Sequence, residues 1–83
     1  MEARKVFVSV VVHFDEEGNI RPLNITWENG RKYEIDKVLD VRRACAMKVG
    51  GTAIRYTVRI NGKVTYLFED DGKWFVESSL THR

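Results

Sequence analysis

Between Ile54 and Val76 the chain alternates apolar and polar residues in three runs separated only by turn-forming residues. The first run places Ile54, Tyr56, Val58 and Ile60 on one face and Arg55, Thr57 and Arg59 on the other. Asn61-Gly62 closes it, Val64, Tyr66 and Phe68 follow as the expected inward set, and Asp70-Asp71-Gly72 leads to Trp74 and Val76. Period-two alternation marks a half-buried strand, and short Asn-Gly or Asp-Gly connections suit the positive-φ turns between adjacent antiparallel strands. The three runs therefore read as an antiparallel meander.

The rest of the chain continues the theme. Val6, Val8, Val10, Val12 and Phe14 form the expected core face of a first strand, with Phe7, Ser9, Val11 and His13 behind them. "DEEGN" turns the chain into Leu23, Ile25 and Trp27, a short strand in which donor-less Pro22 belongs at the start or on an edge. Asn29-Gly30 predicts a two-residue type I′ turn with both residues at positive φ, and Tyr33 and Ile35 then point inward. The phase slips before Val38, Leu39 and Val41, which predicts a bulge or bend near Asp36-Lys37. "RRACAMKVGG" lacks clean alternation and reads as a loop or a single helical turn.

Six strands without a sustained helix predict an all-β fold, a small antiparallel meander or roll of the SH3-like or a related barrel kind. A two-sheet β-sandwich is the alternative. Residues 1–83 make one β-barrel domain, with residues 78–83 expected to be a flexible tail.

The chemistry-bearing residues are few. Cys45 is the single cysteine, so it makes no internal disulfide and no metal site by itself, which points to a reducing compartment. The basic-then-apolar start has a faint leader look, but Ser9 and His13 interrupt the run and no small-residue cleavage site follows. No apolar stretch approaches the roughly 18–20 residues that span a bilayer. A cytoplasmic protein without membrane attachment is the expectation. His13 and His82 lack ligand-like spacing with Cys45, and Asp70-Asp71 reads as a turn former rather than a catalytic pair. No cofactor, metal site or catalytic residue is therefore expected, and the chain reads as a binding module, not an enzyme.

Charge distribution supplies the functional hint. Residues 31–63 carry nine basic and three acidic side chains, although the whole chain has a net charge of only +2. Such local asymmetry suits an anionic partner. Arg31, Lys32, Arg42, Arg43, Arg55 and Arg59 are the candidate contacts for nucleic acid, joined by Lys48 in the same basic third. Small barrels hold single strands with a basic groove and exposed stacking aromatics, yet Trp27, Tyr33, Tyr56, Tyr66, Phe68 and Trp74 all fall on inward phases. Pairing of the arginines with Glu34, Asp40 or Glu69 is the plainer reading of the same charges. Phe7, Val11 and Leu67 fall off the core phase, which makes them the candidate surface for a protein partner or a homodimer.

The motif W-x-x-G-R-x-Y-x-I-x-x-V-x-D-x-R, from Trp27 to Arg42, is followed by I-R-Y-x-x-R-I, Y-L-F and W-F-V. Over residues 5–77 this resembles a group of small bacterial single-domain β proteins of clostridial type. The resemblance implies a cytoplasmic β domain and brings no activity, cofactor or site residue with it.

Overall fold

A computed structural model describes residues 3–45 and 52–79, with side chains described for 5–44 and 53–77. Seven strands form one antiparallel sheet: β1 (Ala3–Phe14), β2 (Ile20–Thr26), β3 (Lys32–Glu34), β4 (Lys37–Cys45), β5 (Thr52–Ile60), β6 (Lys63–Asp70) and β7 (Lys73–Ser79). Their order is β3-β2-β1-β7-β6-β5-β4, and the sheet curls into a half-barrel. There is one sheet, so the sandwich alternative fails. Among the described residues no helix is long and apolar enough to cross a membrane.

Seven strands replace the expected six because the third breaks in two. The Ile35 amide donates to the Leu23 carbonyl of β2 (2.9 Å), and the next amide, Asp36, donates to the Arg59 carbonyl of β5 (2.8 Å). Two successive amides thus bond to two different strands, and the chain corners between them. The two edge strands of the sheet, β3 and β4, are consecutive in sequence and meet at that corner, which is how the sheet curls. That corner is the bend expected near Asp36-Lys37, and a register shift between Val38 and Asp40 leaves Leu39 as a separate bulge. β2 carries its own irregularity opposite Val11/Val12, and Pro22 sits there, beyond the β2–β3 pairing that spans Asn24 to Thr26. That position needs no donor from proline.

Two kinds of turn join the strands. Asn61-Gly62 (φ 53° and 77°) and Asp71-Gly72 (φ 54° and 84°) are two-residue turns with both central residues left-handed. Asn29-Gly30 differs from expectation. Only Gly30 is left-handed (φ 88°), the Gly30 amide donates to the Trp27 carbonyl, and the Trp27 amide donates to Arg31, each at 2.8 Å. The loop is therefore three residues, Glu28 to Gly30, with the Arg31 amide bonded to Asn29 Oδ1 at 2.9 Å. The β1–β2 turn repeats this arrangement around Gly18. There Asp15 Oδ1 accepts the Glu17 and Asn19 amides at 2.9 Å each, and these bonds, the Asn19 amide above all, lower the Asp15 pKa.

The concave face holds the core. Val6, Ile25, Tyr56, Val58, Leu67 and Val76 are buried together, with Val8, Val10, Trp27, Tyr33, Ile35, Val38 and Trp74 packed around them. Burial, and then the nearby Glu69 carboxylate, raises the Tyr56 hydroxyl above its ordinary 10.0.

The β6 phase is the reverse of the expected one. Leu67 is 1% exposed, whereas Val64 and Tyr66 are 59% and 49% exposed. The two-residue turn dictates this, because it makes Ile60 and Lys63 direct partners and so places Leu67 opposite inward Tyr56. Leu67 is therefore core and cannot belong to an oligomer surface. Phe68 is buried in a second, convex cluster with Ala53 and Phe75, and Phe14, expected inward, is exposed. Ser78 and Ser79, expected to belong to the tail, pair with Arg4 and Ala3, and residues 80–83 lie outside the described residues.

Candidate nucleic-acid interface

Register turns these strands into rows on the convex face. Arg42 lies opposite Arg55, Arg55 opposite Phe68, Phe68 opposite Phe75, and Phe75 opposite Phe7. One row thus runs from two cations to three aromatic rings across β4, β5, β6, β7 and β1. A neighbouring row holds Asp40, Thr57 and Tyr66, and the next Lys37, Arg59 and Val64.

The rings are packed into a platform. Phe68 and Phe75 stack at 5.2 Å with an 8° interplanar angle, and Phe7 meets Phe75 edge-on at 5.9 Å. The Lys5 ammonium caps the far side, 4.5 Å from the Phe75 centroid and 5.5 Å from that of Phe7. Phe7 stays 55% exposed. At the other side the Arg55 guanidinium lies 4.6 Å from the centroid of the exposed Tyr66 ring. A cation held over an aromatic face gains on the order of 0.5–1 kcal/mol at an exposed site, which favours this arrangement of both groups.

Charge on this face is partly compensated. Arg42 Nε donates to Asp40 Oδ2 at 2.7 Å, and Arg42 Nη2 reaches Oδ1 at 3.4 Å. The bond to Arg42 lowers the Asp40 pKa and raises that of Arg42, with the Arg55 charge adding to the effect on Asp40. The plainer reading of the sequence therefore holds for Arg42. Arg55 differs: its Nε is buried and has no hydrogen-bond acceptor.

Of the six expected cations the fold gathers three. Arg42, Arg55 and Arg59 share the convex face. Arg43 alternates to the opposite face, across from Ile54, and Arg31 and Lys32 sit at the β2–β3 turn on the other edge strand, in none of these rows. Lys48 lies outside the described residues. Lys37, opposite Arg59, and exposed Tyr66 were missed by the sequence reading, and the parity of the Asn61-Gly62 turn is the signal that locates Tyr66.

The concave side offers a cavity of about 470 Å³ lined by Ile25, Trp27, Tyr33, Ile60, Thr65 and Val76. Lys63 and Glu77 bring opposite charges to its lining, so it lacks the excess of cations found around Arg42, Arg55 and Arg59. His13 is exposed on β1 opposite Arg21, and Cys45 ends β4 opposite Thr52. Among the described residues, no three of His, Cys, Asp and Glu gather as metal ligands would.

No protein-family profile, curated protein or solved structure matches this chain. Function must be read from the side chains themselves.

Proposed function

We propose that this half-barrel is a non-enzymatic binding module that holds single-stranded nucleic acid across its convex face. Arg42, Arg55, Arg59 and Lys37 meet phosphates, while Tyr66 and Phe7 offer ring surfaces to bases. The observation that carries this reading is the exposed Tyr66 ring beside the Arg55 guanidinium. It joins a stacking surface to a cationic row, the combination that single-strand binders use without reading sequence. A convex sheet also fits a splayed strand better than a duplex, whose bases are already stacked on one another.

Fluorescence anisotropy with labelled single-stranded and duplex oligonucleotides tests it. Single strands should bind at low salt, more tightly than duplex, with affinity falling steeply as salt rises through counterion release. Absence of single-strand binding at low salt would end this reading.

A second reading, self-association, has its own observation: Phe7 and Val11 on the outer side of β1 are 55% and 52% exposed. If that strand forms a homodimer, light scattering at high micromolar concentration will show a dimer and Val11→Asp will abolish it. A clean monomer rejects the idea.

A further inference from the structure

We propose that Arg42 and Arg55 form one phosphate-binding pair and that Asp40 is its built-in competitor, occupying Arg42 until a phosphate displaces it. The proposal deepens the single-strand reading and rests on it.

Arg42 and Arg55 are direct cross-strand partners on the convex face. Residues so placed have Cβ atoms about 4.5–5.5 Å apart, and like charges in that position repel. A fold that sets two arginines opposite each other gains from an anion within reach of both. Asp40 supplies one, through Arg42 Nε at 2.7 Å, and its pKa is lowered first by that bond and also by the charge of Arg55. Arg42 alone bonds this carboxylate, and Arg55 acts on it only through its charge. Arg55 still lacks an acceptor for its buried Nε, and its guanidinium carbon lies 4.6 Å from the Tyr66 ring centroid.

A phosphodiester brings more acceptor oxygens than the side chain of Asp40 and can accept the planar fork of each arginine. The Arg42–Asp40 pair that must open is solvent-exposed on both sides, 62% and 40%, so breaking it costs little. Asp40 then acts as a weight on affinity. It keeps the bare face from holding every passing anion, and it reduces the net gain from each bound phosphate.

The test is a double-mutant cycle read by anisotropy with a labelled twelve-nucleotide deoxythymidine strand. Asp40→Asn should tighten binding by about two- to fivefold, the worth of an exposed pair, and Arg42→Gln should weaken it. In the Arg42→Gln background the Asp40→Asn gain should vanish. An unchanged or weaker Asp40→Asn variant overturns the proposal. So does a gain that survives without Arg42, since that would reflect overall charge alone.

Titration with sodium pyrophosphate, followed by amide shifts at Arg42 and Arg55, separates the pair from the strand. If the strand does not bind but pyrophosphate shifts these amides, more strongly in Asp40→Asn, the single-strand reading falls and the anion pair stands. If neither ligand responds, the pair falls as well.

Discussion

Replacing Leu67 by alanine tests the inverted phase of β6, on which both the core and the convex face depend. Leu67 is 1% exposed and packs with Val6, Ile25, Tyr56, Val58 and Val76. A leucine truncated in such a site loses its transfer energy and leaves a cavity, which together cost about 2–5 kcal/mol. A chain of 83 residues has a total stability of roughly 4–12 kcal/mol. The variant should therefore lose a large share of its stability. For a domain of this size each 1 kcal/mol moves the Tm by about 4–8 °C, so a loss of about 3 kcal/mol lowers it by roughly 12–24 °C. Val64→Ala, three residues away on the exposed face, is the control and should stay within about 0.5 kcal/mol of the parent. Urea unfolding followed by tryptophan fluorescence measures both variants with one probe. Equal midpoints for Leu67→Ala and Val64→Ala would refute the phase, and so would a larger loss for Val64→Ala. Either result would return Leu67 to the surface.

Other expectations follow from the convex face and the turns. Tyr66→Ala should weaken single-strand binding by about 1–3 kcal/mol while Tyr66→Phe keeps most of it, because the ring face and not the hydroxyl does the stacking; anisotropy decides. Arg59→Gln should lower the salt slope of binding by about one without changing preference among strand sequences, as a phosphate contact does. The pH dependence of stability has a defined sign. Asp15 and Asp40 have folded-state pKa values below the ordinary 3.8, so their contribution is present above that value and is lost as pH falls through the lower folded values. Thermal melts should show an acid limb that is shallower in the Asp15→Ala, Asp40→Asn double variant; an identical limb would contradict the assignment. Gly72→Ala, at φ 84°, should destabilise the β6–β7 hairpin, since an alanine there is strained whatever the space around it; a melt no lower than the parent's would contradict it.

Much of this fold is legible in the sequence because strand alternation and turn residues are local. The meander from Ile54 to Val76, the bend before Lys37 and the inward Ile25 and Tyr33 follow from them. The β6 error has a physical source: Val64, Tyr66 and Phe68 outnumber Leu67, which shares its face with Lys63, Thr65 and Glu69, so counting apolar residues picks the wrong face. Turn parity can choose. A two-residue turn makes its flanking residues partners, so inward Ile60 requires inward Lys63, Thr65 and Leu67. The same logic, applied at Asn29-Gly30, exposes the other mistake. Ile25 and Tyr33 can both face inward only across an odd-numbered loop, which a three-residue connection supplies. The candidate site was less legible. Pairing Arg42 with Arg55 depends on the β4–β5 register, which the Leu39 bulge resets, and the sequence marks that bulge only as a slip in phase. Phe68 and Phe75 are partners across the local β6–β7 hairpin, but the recruitment of Phe7 to their row is tertiary, from the far end of the chain.

The short ladder between β6 and β7 has a mechanical meaning. Its register runs from Asp70↔Lys73 to Phe68↔Phe75, whereas β6 is paired with β5 down to Lys63 and β7 with β1 out to Ser79. The sheet thus has a seam, with Tyr66 on one bank and Phe7 on the other. Segments held by few pairs open more readily than the rest of a domain. Amide exchange is therefore expected to be faster at Thr65 and Tyr66, away from the stacked Phe68 and Phe75, than in the β5–β6 ladder's partner residues on β5. Under the proposed single-strand reading, two rings mounted on opposite banks of such a seam would form a caliper rather than a fixed ruler, suited to strands of different rise and different bases.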